Sequence, residues 1–209
     1  METKETLNSQ EKKLYAVLEL LNTCREKIKA LFYLFNTQVL NAKADSQEMS
    51  SCLDAMIEKY NDLKGIASVL PKTKKTDREK VAKASKPIVK NTQNLVDDLK
   101  KTFKEHYDSF KVAMKDAMSL RATYKAEVVS CCDAFKKFLA SKTVEGSEKI
   151  VKGYRQQVKL IKAVLDKIKA LIVVYNQEDE KVEGIKKEFE NMTKIVDRLA
   201  SDLHTFIVA

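Results

Sequence analysis

Apolar residues recur along this chain at every seventh position. From Leu7 the series runs through Leu14, Leu21, Ile28, Phe35, Ala42, Met49, Met56, Leu63 and Leu70 in one unbroken phase. A second series starts at Val89 and continues through Val96, Phe103, Phe110, Ala117, Tyr124, Cys131 and Phe138. A third runs from Tyr154 through Ile161, Ile168, Tyr175, Val182, Phe189, Val196 and Leu203. Every one of these positions is apolar, although only 44% of the chain is. In the third series a companion stripe three residues on (Val164, Leu171, Ile185, Met192, Leu199, Phe206) is mostly apolar as well. Such a repeat marks α-helices packed along a shared, left-handed supercoiled seam. It predicts three long helices, over about 4–70, 77–141 and 147–208, within a single helical domain spanning 1–209.

The punctuation agrees with three elements. Pro71 stops the first helix, because the residue before a proline is pushed away from helical geometry. Thr76-Asp77-Arg78-Glu79 has the form of a capping box that restarts the chain. Pro87 either kinks the second helix or sits in its first turn behind Ser85. The second bend falls at 142–147, with Gly146 as a left-handed residue and Ser147 as an N-cap. Four glycines and two prolines are too few for a fold with many tight turns, which excludes Rossmann, TIM-barrel and immunoglobulin-like architectures. The remaining glycines, Gly65, Gly153 and Gly184, are candidate bending points inside the helices. Short loops make neighbouring helices antiparallel. The expected fold is therefore all-α: an elongated antiparallel three-helix coiled-coil bundle, with helices about 80–100 Å long at 1.5 Å per residue.

One level of this bundle is wider in apolar surface than a three-helix seam requires. Leu31, Phe32, Tyr33, Leu34 and Phe35 are apolar all round, and residues 171–175 repeat the feature. Folding the chain at its bends places both level with Met114 in the apolar-rich stretch 112–120. An exposed apolar belt of this kind marks an interface. The expectation is a two-fold homodimer through Leu31, Phe32, Leu34, Phe35, Met114, Leu171, Ile172 and Val174. The alternative is a locally thicker internal core, with the rod folded back at 41–46 and 176–179.

Charge narrows the partners. The net charge is +9, and it is concentrated in two segments. Residues 64–104 hold 12 basic and 4 acidic side chains, and residues 136–169 hold 10 and 3. Lysine without interleaved aromatics suits a diffuse anionic surface better than base readout. The candidate membrane-binding residues are Lys136, Lys137, Lys142, Lys149, Lys152, Arg155 and Lys159 in one cluster, and Lys72, Lys74, Lys75 and Arg78 in the other. No stretch reaches the length of a transmembrane helix, and residues 1–10 lack the apolar core of a signal peptide or an amphipathic anchor. A cytoplasmic protein, peripheral at membranes, is expected.

Catalytic readings find no support in the motifs. GxGxxG, GxxxxGK[ST] and HExxH are absent. Residues Phe103 and Ser201, three before His106 and His204, exclude the Glu-x-x-His pair of helical di-iron sites. His106 falls between Phe103 and Phe110 and reads as a satisfied seam histidine. Cys24, Cys52, Cys131 and Cys132 form no CxxC pair and read as reduced thiols. No catalytic residue, metal or cofactor is expected.

Three long helices within about 210 residues, a central apolar belt and basic ends resemble a BAR domain, of the BAR or I-BAR type. The resemblance is architectural and covers the whole chain. It implies a crescent-shaped dimer whose lysines bind anionic, curved membranes, with the loop between the second and third helices as a basic distal tip; Lys136 to Lys159 match that tip. The alternative is a helical-bundle scaffold or cytoskeletal adaptor, spectrin-like, that binds proteins without lipid. The absence of tryptophan and the unbroken phase from 7 to 70 speak against two spectrin repeats. With no recognised module in the chain, nucleic acid is not an expected partner.

Overall fold

The computed structural model describes residues 9–75, 77–140 and 148–208. Among them the protein is all-α, without a strand. Helix α1 spans Ser9–Val69 and runs into a 3-10 turn, Leu70–Lys72. Helices α2 (Arg78–Val112), α3 (Lys115–Ala140) and α4 (Glu148–Val208) follow. Met1, Leu7, Thr76, Lys142, Gly146 and Ser147, which carry anchor, seam, capping, charge and loop expectations above, lie outside the described residues.

Two boundaries differ from expectation. The second helix is not continuous over 77–141 but lapses at Ala113–Met114 before α3 begins. No proline or glycine stands there. Met114 packs into one core with Leu31 and Phe35, whereas Phe110 is buried and falls in the other compact unit. Pro87 is the tenth residue of α2, not a first-turn residue, and leaves the Lys83 carbonyl without its helical donor. Helices α1 and α4 do not break at 41–46 or 176–179. The α1 end is closed by Thr73, whose hydroxyl donates to the Val69 carbonyl at 2.9 Å and whose N–H donates to Leu70.

Packing divides the chain into two compact units. The first comprises Met1–Leu40 and Ala113–Tyr175, the second Asn41–Val112 and Asn176–Ala209. In the first, Leu21, Ile28, Leu31 and Phe35 of α1 bury against Met114, Ala117, Ile161 and Ile168. A second cluster joins Leu14 and Val17 to Phe135 and Ile150, with the Phe135 and Tyr154 rings stacked at 4.0 Å. Polar contacts pair Gln10 with the Phe138 carbonyl and Lys27 with Glu127.

In the second unit Phe103 stacks on Phe189 at 4.0 Å, and Lys100 pairs with Asp197 at 2.8 Å. Lys111 bridges Asp179 and Glu183, and the Tyr107 hydroxyl donates to Glu183 at 2.8 Å. Burial opposes the charge on Lys111, but its hydrogen bonds to Asp179 and Glu183 outweigh that and raise its pKa. Hydrogen bonds from Lys111 and Tyr107 hold the Glu183 carboxyl below its usual range.

Along α1 the buried positions step in threes and fours. Val17, Cys24 and Leu31 follow the main seam by three residues; beyond Phe35, Val39 and Ser46 follow it by four, and Met49 is followed by both Cys52 and Leu53. The interval Ile28–Leu31–Phe35–Val39 contains two consecutive steps of four, which locally unwinds a left-handed supercoil.

Stability measurements test this arrangement. A Cβ at Gly65 meets nothing within 4 Å, so Gly65→Ala should stabilise by about 0.5–1 kcal/mol. Exposed Pro87 sits inside α2, and Pro87→Ala should add up to about 3 kcal/mol. A lowered midpoint in thermal or urea unfolding would contradict either placement. Glu183 contributes most above its ordinary pKa of 4.5, and its contribution fades as pH falls through its lower folded value. Glu183→Gln should therefore show a shallower loss of melting temperature between about pH 6 and pH 3 than the parent.

Candidate functional site

The structure gives each compact unit its own basic surface. In the first unit, Lys136 and Lys137 follow Phe135 on α3, while Lys149, Lys152, Arg155 and Lys159 lie beside and beyond Ile150 and Tyr154 on α4. Phe135, Ile150 and Tyr154 share one apolar cluster, so the α3 and α4 parts of the basic segment flank a common core. All six basic residues are exposed, and none forms a salt bridge among the described residues. The local order follows from the heptad: seam positions turn inward and lysines take the outward ones.

In the second unit, Lys72, Lys74, Lys75 and Arg78 are exposed around the turn between α1 and α2. The Arg78 guanidinium donates from Nε to the Thr73 carbonyl at 3.3 Å, which draws it against the turn. The cluster reaches further than these four. Eight basic and two acidic residues fall between 72 and 90, and Lys80, Lys83, Lys86 and Lys90 are exposed too. The signal for them was present in the sequence, since Lys83, Lys86 and Lys90 recur at three- and four-residue steps along one helix. None of these lysines has an ion-pair partner among the described residues, whereas Lys27, Lys100 and Lys111 each do.

The apolar belt resolves differently. Leu31, Phe35 and Met114 are buried in the first unit's own core, at 2%, 0% and 4% exposure. Phe32, Leu34, Leu171, Ile172 and Val174 are partly buried against that core. Three of the eight positions expected at a dimer interface thus have an internal role, because the broad apolar segments thicken the core. Near it, Tyr33, Leu40 and Val173 are exposed, as are Met118 and Leu120 in the stretch 112–120.

Reactive chemistry is poorly provided for. Burial, with Cys131 beside it, pushes the Cys24 thiol up to about 11, and burial also raises Cys52 and Cys131. Burial and a hydrogen bond with Cys132 push Tyr154 up to about 12. His106 Nδ1 lies 2.8 Å from Asp45 Oδ1 of α1. No group of three or more metal-binding side chains gathers among the described residues. No described helix is long and apolar enough to cross a membrane.

No family model matches the chain, and neither the curated proteins nor the solved structures contain a match.

Thiolate is the species that alkylates, so Cys24 and Cys52 should resist iodoacetamide at neutral pH in the folded protein and react fully in denaturant. Peptide mapping by mass spectrometry measures this. Labelling of Cys24 at the rate of an unfolded thiol would contradict its burial.

Proposed function

We propose that the chain is a BAR-like antiparallel three-helix coiled-coil module, acting as a homodimer, that binds anionic membrane surfaces and senses or generates their curvature. It is a peripheral cytoplasmic protein that carries out no catalysis. The observation that carries this reading is the pair of exposed lysine clusters without acidic partners among the described residues. The contact orders 10 to 138 and 27 to 127 in the first unit support antiparallel pairing, as do 100 to 197 and 111 to 179 in the second.

Magnitudes favour a dimer. A lysine near an anionic leaflet contributes about 1 kcal/mol, so four or five contacts give roughly millimolar to submillimolar binding. Joining two such surfaces makes the second contact intramolecular and raises affinity by orders of magnitude. Tyr33, Leu40 and Val173 supply exposed apolar area for the dimer contact, extended by the half-buried Phe32 and Leu34.

Co-sedimentation with anionic vesicles at low salt should capture the protein, neutral vesicles should not, and physiological salt should weaken capture. Replacing Lys136, Lys137, Lys149 and Lys152 with Glu should reduce binding at least tenfold, with helicity unchanged by circular dichroism. Binding to neither vesicle type would favour the protein-binding scaffold. Light scattering should give twice the chain mass at micromolar concentration, and a monomer there would remove the dimer.

A further inference from the structure

At the C-terminal end of α4, Phe206 is 45% exposed and Ile207 is half-buried. The heptad stripe places Phe206 in the seam with Met192 and Leu199, but the structure leaves it facing an open groove of about 670 Å³. The groove's other wall comes from the start of α2 and the turn before it: Lys75, Arg78, Lys83 and Lys86, with Glu79 the one acid in the lining. The whole groove lies within the second unit.

Two explanations internal to the protein fall short. A helix C-terminus carries about half a negative charge, which favours nearby cations. Half a charge and one glutamate do not balance four cations, and none of those four forms an ion pair among the described residues. Packing alone does not explain Phe206 either, because a core position would remove the ring from water. An aromatic tip with an aliphatic neighbour, walled by long cationic side chains, has instead the layered chemistry of a lipid interface. There headgroup phosphates lie outside the first acyl carbons, and lysine stems extend along apolar surface to reach them. Nucleic acid would use the ring of Phe206 but has no use for Ile207.

We propose that this groove is a mixed contact with anionic phospholipid: Lys75, Arg78, Lys83 and Lys86 hold headgroup phosphates while Phe206 and Ile207 enter the interface. The proposal rests on the membrane reading above and adds an apolar term to it. Salt screens the charge term but not the burial of apolar surface, so part of the binding should persist at high salt.

The chain has no tryptophan, so Phe206→Trp installs a single tryptophan at the groove, excited selectively at the red edge of its absorption, apart from the tyrosines. The variant is mixed with phosphatidylcholine vesicles, with and without phosphatidylserine, and with a single-stranded oligonucleotide. The expected result is a blue-shifted emission, quenched by brominated acyl chains, with phosphatidylserine vesicles only. Phe206→Ser, which keeps every charge, should lower affinity about tenfold or more and remove the salt-resistant fraction. Protein that sediments with phosphatidylserine vesicles while Trp emission stays unchanged overturns the groove and leaves the membrane reading standing. Protein that does not sediment overturns both. A shift with the oligonucleotide and not with vesicles reassigns the groove to nucleic acid.

Discussion

Burial of the heptad seam is the constraint on which the rest of the structure depends. Leu14, Leu21, Ile28, Phe35, Met49, Met56 and Leu63 are all fully buried along a single helix of 61 residues. Each such side chain contributes about 1.5–3 kcal/mol on leaving water. Nothing else in the molecule competes with this. Its ion pairs mostly join side chains that remain a third or more exposed, where a pair contributes between nothing and about 1 kcal/mol. Because the seam takes one narrow face of each helix, the other faces are left to charge, and the lysines can cluster there without interrupting any helix.

The seam also carries the molecule's one change of rhythm in α1. Up to Phe35 its companion residues trail by three positions; Val39 and Ser46 then trail by four, and Met49 has one of each, Cys52 and Leu53. The shift begins at Val39, and the α1 part of the first compact unit ends at Leu40. In the shifted stripe Ser46 is 2% exposed and its hydroxyl has no hydrogen-bond partner among the described residues. Asp45, next to it, takes His106. A polar pair and an unsatisfied hydroxyl sit where continued heptads place Leu or Ile, so the second unit is specified partly by polar groups and not by apolar volume alone.

Much of this was legible from residue spacing. The seven-residue step picks out buried positions from Leu14 to Leu70, from Val89 to Ala117, and at Ile161, Ile168 and Val182 to Leu203. Tyr124, Cys131, Phe138, Tyr154 and Tyr175 on the same step are only partly buried, and Pro71 marks the end of α1. The break at Ala113–Met114 was not legible, since it depends on which core claims Met114, and no local residue type announces that. The breadth of residues 31–35 was visible, but its use was not: whether Phe35 faces a second copy or its own core is decided by the helices opposite it. The sequence named the start of the 72–90 cluster. It could not locate Phe206 beside it, because two segments more than a hundred residues apart are brought together only by the fold.

That cluster burdens the start of α2. Lys80, Lys83, Lys86 and Lys90 repel one another at helical spacing, each close pair costing a few tenths of a kcal/mol. Arg78 and Lys80 lie in the first turn, where the helix dipole disfavours cations. Pro87 removes a backbone hydrogen bond, and the seam beneath offers Ser85 and Thr92 alternating with Val89 and Val96. Glu79 in the first turn favours the helix, but the lysine repulsion and Pro87 oppose it over 78–92; Val89 and Val96 are buried. An anionic surface reverses the two electrostatic terms together: it screens the repulsion and gives the cations partners. By linkage, whatever binds the helical form and not the unfolded one stabilises that form. On the proposed reading, ligand binding and the folding of this helix would be coupled, the lysines that repel one another in the free protein gaining partners when bound.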